Sequence, residues 1–144
     1  MEESLSFQDI KELYDLEDVD VRTFSPLALA YIGDSVFDII IRTKVVAKGN
    51  VPVSKMHKAC SDVVRASSQA AILDAISENL TEEEEEVVRR GRNAKSKTTA
   101  KNASMIDYRN ATALEALIGY LYITGNTKRM QELVKFGLEK TDRI

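Results

Sequence analysis

Residues 27–38 read LALAYIGDSVFD and place an acid, Asp34, inside an apolar pattern of helical period. A carboxylate among apolar side chains is costly unless it is paired, protonated or bound to a cation. Residues 111–120, ATALEALIGY, repeat the pattern and carry Glu115 among alanines and leucines. Two acids that look buried, on two apolar helices far apart in the chain, suggest one shared cation site.

The composition is that of an ordinary globular domain, with 44% hydrophobic and 30% charged residues in a chain of 144. This length suits one domain with a sizeable core, so we expect a single domain over residues 1–144. The net charge of −3 excludes a chain that is basic overall, so affinity for a polyanion must come from a local patch. The single cysteine, the acidic N-terminus and the lack of a long apolar run lead us to expect a cytoplasmic protein with no membrane partner.

Helical periodicity dominates the chain, and no segment alternates with period two for long enough to form a strand. Ser25-Pro26 predicts a helix start, Gly49 predicts its end, and Thr81 with Glu84 forms a capping-box pattern. The predicted helices cover residues 7–16, 25–47, 52–79, 81–91 and 109–123, and a last amphipathic helix follows. An irregular segment is predicted at residues 92–106, between the fourth and fifth of these helices. The predicted fold class is therefore all-α, a single-domain helical bundle.

Asp34 and Glu115 have the chemistry of a magnesium site. Mg²⁺ often binds through one or two carboxylates, with water and phosphate oxygens as its remaining ligands, so two acids can suffice. Gly33 is next to Asp34, and Gly119 lies one turn beyond Glu115, so a helix or a phosphate could approach closely at either glycine.

A structural interpretation of the two acids stays open beside the functional one. They could be hydrogen-bonded within the core, or ion-paired to Arg42 or Arg109. Asp38, one turn beyond Asp34, is better interpreted as a salt-bridging or solvent-facing acid than as an outer ligand. His57 and Cys60 have no further His or Cys to complete a zinc site.

A basic segment without acids spans residues 89–101. Its six cations are Arg89, Arg90, Arg92, Lys95, Lys97 and Lys101. Such a segment would neutralise backbone phosphates without reading base sequence. The alternative is a solvated segment balanced by the adjacent glutamates 82–86, which we interpret only as a helix start.

The two acidic stretches carry a family resemblance. Residues 31–36, YIGDSV, resemble the signature helix of the ribonuclease III family, Glu-x-x-Glu-Phe-Leu-Gly-Asp-x-Val, and residues 115–119, EALIG, resemble its second acidic motif, Asp-x-x-Glu-Ala. Leu27, Ala30 and Thr112 stand where that family generally has acids. The Mini-III branch, a dimeric catalytic domain without a double-stranded RNA-binding domain, is more similar, and the matching blocks are residues 27–34, 81–85, 90–96 and 108–120, within about residues 25–137.

The resemblance implies a ribonuclease III endonuclease fold and an Mg²⁺-dependent endoribonuclease. The family hydrolyses double-stranded RNA, leaves 5′-phosphate and 3′-hydroxyl ends, and works as a homodimer that cuts both strands. Asp34 and Glu115 would be the catalytic, metal-binding acids. The residues expected to contact the duplex, whose A-form is recognised through shape and phosphates, are Arg90, Arg92, Asn93, Lys95 and Lys101.

The Mini-III resemblance further implies maturation of the large-subunit (23S) ribosomal RNA precursor in the bacterial cytoplasm. It leaves open whether a large-subunit ribosomal protein presents that RNA, and the missing acids leave open how many metal ions bind. The apolar residues of helix 25–47 cover more than one face, which independently favours a partner subunit. The alternative function is a non-catalytic helical module that binds structured RNA in ribosome assembly.

Overall fold

The computed structural model describes residues 4–94 and 104–144. Within these ranges the chain forms helices and no strands, so the predicted all-α class is confirmed. The helices are α1 (Phe7–Leu13), α2 (Pro26–Ala47), α3 (Val53–Val64), α4 (Ala66–Ile76), α5 (Glu82–Asn93), α6 (Met105–Ile123) and α7 (Thr127–Lys140), with short 3₁₀ turns at Val21–Thr23 and Ser77–Asn79. No helix in this described part of the chain is both long and apolar enough to cross a bilayer.

Two helix starts that the sequence predicted, at Ser25 and at Thr81, are present. The Ser25 hydroxyl accepts a hydrogen bond from the backbone N–H of Ala28, and Pro26 follows at the first helical position. Thr81 and Glu84 form a complete capping box at the start of α5. Local hydrogen bonding of this kind needs no tertiary context, which is why the sequence pattern was sufficient.

The predicted single helix over residues 52–79 is wrong, because the chain breaks at Arg65. Arg65 is extended, with φ −65° and ψ 157°, and separates α3 from α4. The Ser68 hydroxyl donates to the carbonyl of Asp62 at 2.6 Å, and the Gln69 amide donates to the carbonyl of Val64 at 2.8 Å. These side chains satisfy carbonyls that the end of α3 leaves open. The apolar period continues through the break, so periodicity alone did not reveal it.

Two other boundaries differ from the predicted ones. The leading helix ends at Leu13 rather than at residue 16. Helices extend into both ends of the segment predicted as irregular, residues 92–106, because α5 continues to Asn93 and α6 already begins at Met105; residues 95–103 lie outside the described ranges. The Ser104 hydroxyl caps α6 by accepting the backbone N–H of Asp107 at 3.0 Å.

Helix α6 is the centre of the bundle. It packs against α2, α4, α5 and α7, and most of its residues between Ala111 and Leu121 are buried. The main core also draws on Phe37 and Ile41 of α2 and on Ile72 and Leu73 of α4. A helix that is apolar on nearly all sides is stable only inside such a bundle.

Glu84 has a tertiary role besides its cap, so the interpretation of the glutamate run as a helix start alone is wrong at this residue. Its side chain is buried and forms a two-point ion pair with Arg129 of α7, with N–O distances of 3.0 and 2.8 Å. Arg129 holds the pKa of Glu84 below its usual value. The pair joins α5 to α7.

The backbones of α2 and α6 touch directly at two glycines. A Cβ atom at Gly33 would overlap the backbone carbonyl of Glu115, and a Cβ atom at Gly119 would overlap the backbone carbonyl of Leu29. Of the two approaches that the sequence allowed, helix or phosphate, these glycines serve the approach of a helix. The Gly33 contact also fixes where Asp34 and Glu115 lie relative to each other.

We expect Gly33→Ala and Gly119→Ala each to lower the free energy of unfolding by about 3 kcal/mol or more, because the atoms that must move belong to backbone. Helix propensity alone would give the opposite sign, since alanine is favoured over glycine by about 1 kcal/mol inside a helix. Urea denaturation followed by circular dichroism measures the difference. Ser35→Ala, at an exposed position of the same helix, is the control, and a Gly33→Ala protein at least as stable as the parent would contradict the contact.

Candidate active site

The α2–α6 contact brings together the two acids that the sequence singled out. Asp34 follows Gly33 on α2, and Glu115 on α6 is the residue whose backbone carbonyl lies against Gly33. The carboxyl group of Asp34 is close enough to Glu115 to raise its pKa. Two acids remote in sequence are therefore neighbours in the fold.

The expectation that both acids are buried is wrong for Asp34. Asp34 is exposed, and Glu115 is partly buried. The buried face of α2 contains Ala30, Gly33 and Phe37, and Asp34 lies next to this face rather than on it. Asp34 is therefore accessible to an external ligand.

Glu115 has a shifted affinity for protons. Its partial burial, together with hydrogen bonding to and like charge on Asp34, raises the pKa of Glu115 to about 8, while hydrogen bonding from Gln69 acts in the opposite direction. At neutral pH the pair thus holds a proton that a bound cation would displace. Strongly shifted carboxyl groups of this kind are characteristic of functional sites.

Gln69 of α4 is the third side chain at this site. It is 3% exposed, and its Nε2 lies 2.8 Å from the Val64 carbonyl and 3.5 Å from Oε2 of Glu115. Its Oε1 is buried and has no hydrogen-bond partner among the described residues. Gln69 was not among the residues that the sequence pattern singled out. The available signal was an amide side chain within the otherwise small or apolar residues 66–73.

Of the two structural alternatives for the acids, hydrogen bonding is present at Glu115, through Gln69, whereas ion pairing with arginines is not found. Arg42 instead pairs with Asp38 at 2.9 Å, in agreement with the interpretation of Asp38 as a salt-bridging acid. Within residues 4–94 and 104–144, no ion pair joins Asp34 or Glu115 to a basic side chain. Neither acid is therefore neutralised by a basic side chain of the described ranges.

The positions where the resemblance expects further acids have other roles here. Ala30 packs in an apolar cluster with Leu29, Val87 and Ala116. Thr112 is buried, and its hydroxyl donates to the carbonyl of Tyr108 within α6 at 3.0 Å. Throughout the described ranges, no three His, Cys, Asp or Glu side chains are grouped so that they could hold a metal ion.

The residues present nevertheless fit a hard divalent cation. Asp34 and Glu115 supply oxygen donors whose mutual repulsion a cation would relieve. Two carboxylates are a usual protein contribution to an Mg²⁺ site in which water and phosphate complete the coordination. The arrangement can therefore hold such an ion at an accessible position beside Asp34.

The predicted RNA-contacting residues are only partly brought together. Arg90 is half-buried, and its guanidinium lies 3.4 Å from the carbonyl of Phe24, at the start of α2. Arg92 and Asn93 are exposed at the end of α5. Lys95 and Lys101 lie outside the described residues.

A cationic cleft lies beside Arg92. The Nε of Arg92 donates to Oδ1 of Asn110 at 2.8 Å. Arg92 and Asn110 line the cleft together with Asn93, Ile106 and Arg109. Arg109 is exposed. From the sequence, Arg109 was a candidate counter-ion for the acids and not an RNA contact, because the alignment of α6 against the end of α5 is a tertiary feature.

Comparisons with known proteins agree with this fold. The family model for the ribonuclease III domain matches residues 27–126, a range that includes both acids. The chain is 48% identical over 116 residues to Mini-ribonuclease 3 of Brevibacillus brevis, covering 81% of this chain and 87% of that one. It is 45% identical over 119 residues to Mini-ribonuclease 3 of Thermoanaerobacter sp. strain X514, covering 83% and 84% respectively.

A solved structure supports the same assignment. A crystal structure of a protein from Fusobacterium nucleatum matches with a TM-score of 0.78 and 27% sequence identity, covering 85% of this chain and 99% of that one. The chain therefore belongs to the ribonuclease III family of endoribonucleases, among relatives named Mini-ribonuclease 3.

Proposed function

We propose that this protein is an Mg²⁺-dependent endoribonuclease that hydrolyses double-stranded RNA at a site formed by Asp34 and Glu115. The observation that carries the proposal is the pair of adjacent carboxyl groups at the α2–α6 contact, with no basic partner in the described ranges. The names of the relatives support the reaction class.

The roles of the residues follow from their exposure. Asp34, on the open side of the site, can hold a cation where a backbone phosphate can reach it. Glu115 binds from the inner side once its proton has left. Held by Asp34 and Glu115, Mg²⁺ would lower the pKa of a bound water and stabilise charge on the phosphate oxygens. The proposed 5′-phosphate products rest on the family resemblance.

The exposed end of α5 supports contact with the RNA backbone. Arg92, Asn93 and Arg109 present donors without an acidic partner in the described part of the chain. Charge contacts of this kind recognise a duplex through its phosphates. Arg90, Lys95 and Lys101 extend the proposed contact. The expected substrate, a 23S ribosomal RNA precursor with or without a presenting ribosomal protein, rests on the Mini-III resemblance.

We expect Asp34→Asn and Glu115→Gln each to reduce cleavage of a labelled RNA duplex by about 100-fold or more, since metal stabilisation of the transition state is worth several kcal/mol. The assay compares Mg²⁺ with EDTA. Asp38→Asn, one turn away on the same helix, is the matched control and should cut at a rate near that of the parent.

Cleavage at the parent rate by either acid variant would contradict the proposal. A duplex that binds regardless of EDTA and is never cut would instead support the alternative, a non-catalytic module that binds structured RNA. The observation that favours this alternative is the two-acid donor set, which is smaller than the family motif implies.

Thermal stability should depend on pH through Glu115. Its pKa is raised from 4.5 to about 8 in the folded protein, so its contribution to stability is present below about pH 4.5 and is lost as pH rises through about 8. We therefore expect the melting temperature of the metal-free protein to fall relative to that of Glu115→Gln between pH 5 and pH 8. Added Mg²⁺ should raise the melting temperature of the parent protein more at pH 8 than at pH 6. Parallel melting curves for parent and variant across this range would contradict the assignment.

The proposal includes a homodimer. Leu27, Tyr31, Ile39 and Val46 of α2 are exposed apolar residues, and Tyr31 is 82% exposed. Apolar side chains in this number on one helix are typical of an interface. Two subunits would place one site on each strand of the duplex.

We expect light scattering to show a dimer for the parent and a shift towards monomer for Tyr31→Glu, because the introduced charge would be buried in the interface. Leu13→Glu on α1 is the matched control, since Leu13 is 77% exposed. A stable monomeric parent at working concentration would contradict the dimer.

A further inference from the structure

The corner between α3 and α4 directs Gln69 towards the acidic pair. The chain turns at Arg65, and the Gln69 backbone N–H continues the new helix by donating to the Arg65 carbonyl at 3.0 Å. The side chain is buried beneath this corner and donates back to Val64 at 2.8 Å. A buried amide anchored in this way has little rotational freedom.

The orientation of the amide follows from the chemistry of its neighbours. The Val64 carbonyl can only accept a hydrogen bond, so the nitrogen of Gln69 must face it. The same nitrogen lies 3.5 Å from Oε2 of Glu115. An exchange of nitrogen and oxygen would set two acceptors against each other at Val64, which excludes the flipped amide.

The cost of this arrangement is the unpartnered Oε1 of Gln69. A buried acceptor without a partner typically costs about 1–3 kcal/mol. A leucine of similar size would fill the same space without that cost. The hydrogen bond from Gln69 to the Val64 carbonyl stays within the α3–α4 corner. The contact of Gln69 that reaches beyond the corner is the one to Glu115.

We propose that Gln69 is a positioning residue for Glu115: its amide holds Oε2 as an acceptor and so fixes the orientation in which the carboxylate binds a cation beside Asp34. This inference rests on the proposed function of the pair. Groups that orient metal ligands commonly change metal affinity by about 10–100-fold when removed.

The direct test is cation binding by the full chain, with Mn²⁺ as a probe whose free form is counted by electron paramagnetic resonance. We expect Gln69→Leu to weaken Mn²⁺ binding by about 10–100-fold. In the cleavage assay it should raise the Mg²⁺ concentration for half-maximal rate by a similar factor, and excess Mg²⁺ should restore the rate. Glu115→Gln should not be restored, because it lacks the carboxylate.

Ser68→Ala is the matched control for a purely structural role. Ser68 is fully buried and caps the same helix end through Asp62. No hydrogen bond of Ser68 in the described ranges reaches Glu115. The Ser68→Ala substitution should lower thermal stability while leaving the Mn²⁺ affinity at the parent value. Equal loss of Mn²⁺ affinity in Ser68→Ala and Gln69→Leu, or no loss in Gln69→Leu, would overturn the inference.

A second variant covers the case in which Gln69→Leu does not fold. Gln69→Asn keeps the amide but is one methylene shorter, so it cannot reach both Val64 and Glu115, and it should also weaken Mn²⁺ binding. A parent protein that binds no Mn²⁺ and cuts no duplex would end the proposed function and this inference with it. A parent that binds and cuts, beside unaltered Gln69 variants, would overturn this inference alone.

Discussion

The direct backbone contact between α2 and α6 is the constraint on which the site depends. Gly33 and Gly119 have no Cβ atoms, so each helix lies against a carbonyl of the other, of Glu115 and Leu29 respectively. Larger residues would separate the helices and with them the carboxyl groups of Asp34 and Glu115. The same contact centres α6 in the bundle, where α4, α5 and α7 complete its burial. The contact between α2 and α6 therefore determines both the packing of the helices and the geometry of the site.

The site combines an open acid with a sheltered one. Asp34 is exposed, whereas the partial burial of Glu115 and the carboxyl group beside it raise the pKa of Glu115 to about 8. Like charges held together destabilise the cation-free fold, and a divalent ion would reverse this effect. Gln69, held by the α3–α4 corner, faces the inner oxygen of Glu115. Three helices thus contribute one residue each.

Much of the fold was predictable because its signals are local. Ser25-Pro26 and the Thr81–Glu84 capping box depend on hydrogen bonds within one turn of helix, and both are present. The break at Arg65 was not predictable from periodicity, since the apolar stripe continues across it. The ion pair of Glu84 with Arg129 was hidden for a similar reason: a glutamate at a helix start already has a sufficient local explanation.

The sequence by itself determined the all-α fold class. It also singled out the two acids and the glycines near them, because a charged or missing side chain in an apolar helix is conspicuous without a structure. Only the tertiary structure decided that Asp34 is exposed, that Gln69 and Glu115 meet, and that Arg109 lies beside Arg92. The physical reason is that helical period specifies which residues share a face. The crossing of helices, which sequence period does not encode, specifies what each face contacts.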